Sequence, residues 1–307
     1  MPTQFSESDI LARIAQLKSS RQNLVAGDDI ARFKTTGVTY AGTDSLSENV
    51  HYRRNWLSPA DIAYKLFARN WSDFLCKGIQ AEYALLNLNL KRASATAEFL
   101  IPFLRELDRL FTRHGITLVG GDTARAQVDG FTMTLLGSKG KFIPRRGQKI
   151  QAGDVIVQLG TVGGSDWARK QLQRKAPTPE RIRKMFARPQ IFVKLPKGVQ
   201  LKAALDQSDS VDKTLRLMAQ NNKASIHIDV GAIRVAHTDI RKPRAILAAA
   251  EDLAVFGIAA KGVSPFRVIG HIESCGTPGV VYRHGGKIVS YAGGFEHFNA
   301  RRREAGA

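Results

Sequence analysis

Aspartates recur in this 307-residue chain where loops or strand ends would present them. Asp28 and Asp29 follow Gly27, Asp44 follows Thr43, and Asp122 follows Gly120-Gly121. Asp206 and Asp209 bracket Gln207-Ser208, and Asp73 stands one helical turn after Asn70. A single loop aspartate is ordinarily a turn former or a cap. Several in one cleft would repel, and some would take up protons. A divalent cation resolves that conflict. Mg²⁺ takes hard oxygen ligands at about 2.0–2.1 Å and usually combines one or two carboxylates with substrate phosphates. Gly120-Gly121 would let backbone N–H groups approach a phosphate closely. The pattern therefore suits metal-assisted phosphoryl transfer, which needs alignment and charge neutralisation with little covalent work by the protein. The chain carries no G-x-x-x-x-G-K-[ST], H-R-D, D-F-G or G-x-S-x-G motif. P-loop, protein-kinase and serine-hydrolase sites are thereby excluded.

The elements that must position these residues follow from periodicity and capping. Ile10, Leu11, Ile14 and Leu17 mark an amphipathic first helix. Residues 36–42 read as a strand with Thr43-Asp44 at its exit. Ser58-Pro59-Ala60-Asp61 is a helix start, with Ser as N-cap, Pro in the first turn and an acid near the positive end. That helix should reach about Cys76, with Asn70 and Asp73 on one face. Residues 83–90 read as a strand, and Phe99 to Phe111 as a helix stopped by His114-Gly115. A strand over 116–119 delivers Gly120-Gly121-Asp122-Thr123, and 131–137 is a further strand. Pro144-Arg145-Arg146-Gly147 and Ala152-Gly153-Asp154 mark a junction, which places two domains at 1–145 and 146–307. Beyond it come a strand over 155–159, a glycine turn at 160–165 and a basic helical stretch. Residues 203–208 lead into Asp209 and a helix to about Asn221, followed by a strand over 225–229, a helix around 243–252 and a strand over 266–272. Strands alternating with helices in both halves imply layered α/β domains.

Composition limits the setting. At 43% hydrophobic and 24% charged residues, the chain resembles an ordinary folded protein long enough for two domains. No apolar run approaches the ~18–20 residues of a membrane span. The start lacks a basic segment followed by an apolar one, so no secretory signal is expected. Cys76 and Cys275 have neither metal-type spacing nor a partner cluster, which points to a reducing, cytoplasmic setting. The net charge of +19 is concentrated, with eleven Lys or Arg between residues 169 and 202 against the single acid Glu180. Such a run suits nucleic acid or an anionic surface, or equally a solvated basic face that draws in phosphorylated substrates. No nucleic-acid recognition motif accompanies it, so the second reading is preferred.

The order of motifs resembles the thiamine-monophosphate kinase family. The resemblance rests on G-D-D at 27–29, T-D-S-L-S-E-N-V-H-Y at 43–52, the stretch 58–73, G-G-D-T at 120–123, Leu205 to Asp209, Ala250-Glu251-Asp252 and Gly293-Gly294-Phe295-Glu296-His297-Phe298. It extends in order from about residue 7 to 298, and the closing G-F-E-H-F separates this family from its relatives in the aminoimidazole ribotide synthetase-like superfamily. The resemblance implies two α/β domains, the first with a mixed sheet that pairs in a homodimer, and transfer of a phosphoryl group from ATP to thiamine monophosphate. Carried over by position, the Mg²⁺ ligands would be Asp29, Thr43, Asp44, Asp73, Asp122, Asp206 and Asp209. ATP would be held by Gly121, Asp122, Arg145 and Ser208, and thiamine monophosphate by His51, Glu251 and Phe295. Asp44, Asp209 and Arg145 would act most directly in the transfer. Alternatives are another ATP-dependent enzyme of the superfamily with a different phosphorylated acceptor, or a basic nucleic-acid-binding paralogue. The sequence departs from the family pattern at Ser210, Ala250 and Leu253, where Gly, Gly and Tyr are usual. These positions bear on the acceptor more than on ATP or metal.

Overall fold

The computed structural model describes residues 5–19, 34–174, 178–196, 198, 200–262 and 266–291. Asp29 and Phe295 lie outside the described residues. In chain order the elements are α1 (Glu7–Ala15), β1 (Tyr40–Ser47), α2 (Pro59–Cys76), β2 (Ile79–Gln80), β3 (Tyr83–Leu90), α3 (Ala97–His114), β4 (Thr117–Arg125), β5 (Gly130–Gly137) and β6 (Lys139–Gly140). There follow β7 (Val155–Leu159), α4 (Gly164–Gln173), α5 (Glu180–Ala187), β8 (Leu201–Asp206), α6 (Val211–Asn222), β9 (Ala224–Asp229), α7 (Pro243–Ala248), β10 (Val255–Ala259), β11 (Arg267–Cys275), β12 (Gly279–His284) and β13 (Lys287–Ile288).

The strands form a four-stranded sheet ordered β1-β5-β3-β4, a seven-stranded sheet ordered β13-β12-β9-β11-β7-β10-β8, and the small pair β2-β6. In the first sheet β5 runs antiparallel to β1 and β3, while β3 and β4 are parallel. Its inner face carries Leu46, Leu86, Leu88, Phe131, Met133 and Leu135, all buried under α2 and α3. The other face is polar, with Ser45 and Thr132 hydroxyls 2.7 Å apart and Thr134 Oγ1 donating to Thr43 Oγ1 at 3.0 Å.

Helix α2 is the centre of the molecule. Ser58 and Asp61 form a capping box and Pro59 fits the first turn, so the start is fixed by local chemistry. The helix is enclosed by β1 and β5, by α3, and by α5 and β8 of the second half. The largest apolar cluster accordingly joins residues of α2, α3 and the first sheet to Ala168, Leu172, Phe186 and Ala187 of α4 and α5. A separate cluster packs α6 and α7 on the second sheet through Val211, Leu215, Met218, Leu247, Phe256 and Ile258.

Three local expectations require correction. Asp44 lies within β1, because the strand starts at Tyr40 and pairs with β5 through Ser47. Gly120 to Thr123 lie within β4, since the parallel pairing with β3 continues to Arg125 after a register slip opposite Ala84/Leu85. The helix expected around 243–252 stops at Ala248. There residues 249–253 turn to pair with 207–211, through Val211 N–H to Ala249 O, Glu251 N–H to Ser208 O and Leu253 N–H to Gln207 O.

Several cations of the basic segment pair with acids. Asp166 pairs with Arg169 and Lys170, Lys184 with Glu180, and Lys202 with the buried Asp154 at 2.7 Å. Arg188 reaches across to Asp61 at 2.6 Å and Glu106 at 2.8 Å, tying the end of α5 to the starts of α2 and mid-α3. No helix among the described residues is long and apolar enough to cross a membrane.

His114 closes α3 before Gly115, which takes the left-handed conformation at φ 68°. Its ring packs on Trp71 and Phe67 of α2, and its Nδ1 finds no hydrogen-bond partner among the described residues. Burial pushes its pKa down to about 4 from 6.5, with Arg113 and Arg109 adding to the effect. Below pH 6.5 the unfolded chain therefore takes a proton that the folded one refuses until about pH 4. Stability from this ring is complete above pH 6.5 and is lost as pH falls through that window. His114→Phe should remove this contribution. Urea midpoints at pH 5 and 7.5 should then differ less for the variant than for the wild type, and equal differences would contradict the assignment.

Candidate active site

Helix α2 gathers the site from both halves of the chain. Asn70 accepts the Asp44 N–H through Oδ1 at 3.0 Å and donates to Leu66 O at 2.9 Å, so its hydrogen-bonded side chain pins β1 beside the helix. Two residues on, Ser72 donates its hydroxyl to Asp206 Oδ2 at 2.9 Å, which fixes the end of β8. Asp73 shares a side-chain hydrogen bond with Asp206. Three carboxylates, Asp44, Asp73 and Asp206, thus converge from β1, α2 and β8.

Their electrostatics record that crowding. Burial raises the Asp73 pKa well above the carboxylate range, and the charges of Asp206 and Asp44 raise it further. Burial also raises that of Asp44, which Arg69 lowers only in part while Asp206 adds to it. Arg69 lies 4.0 Å from Asp44, too long for a direct hydrogen bond. The donor set is hard oxygen, anionic and incompletely neutralised, which is the chemistry a divalent cation of the Mg²⁺ type satisfies.

Beside this cluster sits Glu251. Lys65 Nζ lies 3.1 Å from Glu251 Oε2, and Arg69 NH1 lies 3.2 Å from Glu251 Oε1. Lys65 is 1% exposed, lies 3.6 Å from the Phe186 ring centroid and also donates to Phe186 O at 3.4 Å. Burial acts to raise the Glu251 pKa, but Lys65 and Arg69 outweigh it and hold the group below the usual range, helped by His51. Glu251 and Leu253 adopt φ of 61° and 60°, a left-handed conformation uncommon for such residues. This strained turn is held from below by Gln207, fully buried, whose amide donates to Asp209 O and Ala249 O and accepts from Asp252 N–H. Asp252 in turn accepts from Gly163 N–H at 2.6 Å and Ser165 N–H at 2.8 Å, anchoring the glycine turn at the start of α4.

The sequence-derived residues divide in space. Asp44, Asp73 and Asp206 come together, and His51 and Glu251 interact beside them. His51 Nδ1 also accepts the Ser47 N–H at 2.9 Å, which orients the ring at the end of β1. Thr43 projects to the opposite face of β1, where its hydroxyl donates to Met133 O at 3.2 Å. Asp122 is exposed on the rung Ser45–Thr132–Asn87–Asp122. Ser208 contributes its carbonyl to the Glu251 turn, and Arg145 accepts from Asn222 through its carbonyl. Asp209 pairs with Lys213 at 3.0 Å at the surface. Of the departures from the family pattern, Ser210 has a local explanation: it is the N-cap of α6, accepting Lys213 N–H at 3.2 Å.

Gly121 has a structural role. A Cβ there would lie 1.8 Å from the Leu86 carbonyl oxygen, and its φ is 153°. Gly121→Ala should therefore destabilise the protein by about 3 kcal/mol by forcing β4 away from β3. A urea midpoint equal to wild type would contradict this.

Sequence reasoning missed Lys65, Arg69, Ser72 and Gln207. Lys65 and Arg69 carried a signal, being two cations one turn apart within an otherwise largely apolar helix. Gln207 carried none, since only the fold reveals that its amide is surrounded by backbone.

Residues 27–138 match the AIR synthase related protein, N-terminal domain model. The chain is 26% identical to the thiamine-monophosphate kinase of Buchnera aphidicola subsp. Schizaphis graminum over 96% of this chain and 99% of that one. It is 30% identical to the thiamine-monophosphate kinase of Leptospira interrogans, in an alignment spanning 63% of this chain and 65% of that relative's length. Its structure superposes on AaThiL complexed with AMPPCP and TMP with a TM-score of 0.75 at 23% identity, covering 95% of this chain and 97% of that one, a likeness of fold. The residues that match the AIR synthase related protein model include the four-stranded sheet and α2. The chain is similar over nearly its whole length to named thiamine-monophosphate kinases.

Proposed function

We propose that this protein transfers the γ-phosphoryl group of ATP to the phosphate of thiamine monophosphate, giving thiamine diphosphate and ADP, with Mg²⁺ as cofactor. The observation that carries the reading is the convergence of Asp44, Asp73 and Asp206 on α2, directly beside the Glu251–Lys65–Arg69 group. Asp44, Asp73 and Asp206 would hold Mg²⁺. The bound ion supplies charge neutralisation where two phosphates must meet. Asn70 and Ser72 keep two of the carboxylates in place, so the acidic cluster is ordered in advance. Arg69 stands between Glu251 and Asp44, linking the acceptor side of the site to the metal side.

In this reading His51, Glu251 and Phe295 contact the thiamine phosphate, while Gly121, Asp122, Arg145 and Ser208 contact ATP. Residues 1–145 form the nucleotide-binding and dimerisation domain, and 146–307 complete the site. The polar outer face of the first sheet is where a second copy would join, and the protein would work in the cytoplasm. Purified protein given ATP, Mg²⁺ and thiamine monophosphate should release ADP, and EDTA should stop it. ADP release that is indifferent to EDTA would overturn the metal part of the proposal.

A further inference from the structure

On the second sheet, away from the acidic site, two histidines and a glutamate meet. His227 of β9 and His271 of β11 are direct cross-strand partners, with ring centroids 5.5 Å apart. Glu273 follows His271 by two residues and so shares its face of the strand. Its Oε2 lies 3.2 Å from His271 Nε2 and 3.8 Å from His227 Nδ1. One ligand atom from each residue falls within 4.8 Å of the other two. From this structure we infer a second metal site, in which His227, His271 and Glu273 bind a borderline divalent transition ion of the Zn²⁺ type.

Geometry and chemistry agree on the ion. Zn–N and Zn–O bonds of about 2.0–2.2 Å in a tetrahedron place neighbouring ligand atoms roughly 3.3–3.6 Å apart. The two separations to Glu273, 3.2 and 3.8 Å, straddle that range, so small side-chain rotations close the site. Imidazole with one carboxylate selects Zn²⁺ and its neighbours over Mg²⁺, which prefers oxygen throughout. Two neutral imidazoles and one carboxylate leave a net positive centre with a coordination position open to solvent. His271 and Glu273 are half-exposed and His227 about one quarter exposed, so entry is unobstructed.

The β9–β11 register shifts between Ile272 and Ser274, so Glu273 sits at a break in the ladder beside the paired histidines. The site is also separate from the proposed catalytic centre, because β7 and β10 lie between β11 and β8.

Equilibrium dialysis of the full chain against Zn²⁺ with saturating Mg²⁺ tests the inference. His227→Ala and His271→Ala should each bind about one equivalent fewer than wild type at micromolar free Zn²⁺. Glu273→Gln should weaken that equivalent by about tenfold or more. Turnover with Mg²⁺ alone should be unchanged in all three, and Cys275→Ser, which removes the exposed thiol two residues on, should keep full Zn²⁺ stoichiometry. Zn²⁺ should also shift the imidazole proton resonances of His227 and His271 in the wild type. Equal stoichiometry and affinity in both histidine variants, or loss of the equivalent in Cys275→Ser alone, would overturn the assignment.

Discussion

Asp73→Asn should lower kcat for phosphorylation of thiamine monophosphate by about 10²–10³-fold, the range seen when one preorganised electrostatic group is removed from a reacting centre. The same variant should be at least as stable as wild type without metal. Burial and the neighbouring Asp206 and Asp44 already disfavour ionisation of Asp73, and an amide resembles the protonated acid in shape. The two readouts together separate a functional acid from a structural one. A structural aspartate would lose stability with activity, whereas this one should lose activity alone. Thermal unfolding and steady-state kinetics on the same preparation decide it, and a variant with wild-type kcat would remove Asp73 from the centre. Asp206→Asn should behave similarly in turnover, while keeping an acceptor for the Ser72 hydroxyl.

Lys65→Met should destabilise the protein by about 3 kcal/mol, because removing one partner of a buried ion pair leaves the other charge without compensation. Lys65 is almost wholly enclosed, and Glu251 would keep Arg69 at 3.2 Å and the weaker influence of His51. The flexible thioether fills much of the vacated volume, so cavity formation adds little. Adding Glu251→Gln should recover part of the loss, since the double variant no longer buries an unpaired carboxylate. Urea unfolding of the two single variants and the double variant measures this coupling directly. Additive losses would mean that the Lys65–Glu251 contact is energetically idle. The KM for thiamine monophosphate should rise in Lys65→Met, since Glu251 would be free to leave its position.

Much of this fold was legible in the sequence because its signals are local. The capping box at Ser58 and Asp61 and the left-handed Gly115 fixed the ends of two long helices, and the alternation in Tyr83–Leu90 marked a central strand. Short apolar runs were less informative. Val255–Ala259 and Gly279–His284 were missed as strands, since a few apolar residues without clear alternation do not distinguish strand from helix or loop. Gly120-Gly121 read as a phosphate-binding turn, yet Gly121 sits in a continuous strand and is glycine because the Leu86 carbonyl is adjacent. That constraint comes from another strand and leaves no mark in the local sequence.

The site was legible to a different degree. Asp44, Asp73 and Asp206 lie far apart in the chain, and their order could suggest a cluster without showing which carboxylates share it. Only packing around α2 separates these three from Asp209, whose carboxylate pairs with Lys213. Lys65 and Arg69 stand out as two cations one turn apart in a largely apolar helix, but their partner Glu251 emerges only once the second half of the chain covers α2.

The most direct test is to identify the product by ³¹P NMR after incubating the purified protein with ATP, Mg²⁺ and equimolar thiamine and thiamine monophosphate. The account predicts the β-phosphorus of thiamine diphosphate growing in step with ADP, with thiamine left unconverted. Folded protein that hydrolyses ATP without forming thiamine diphosphate, or that phosphorylates thiamine instead, would contradict it.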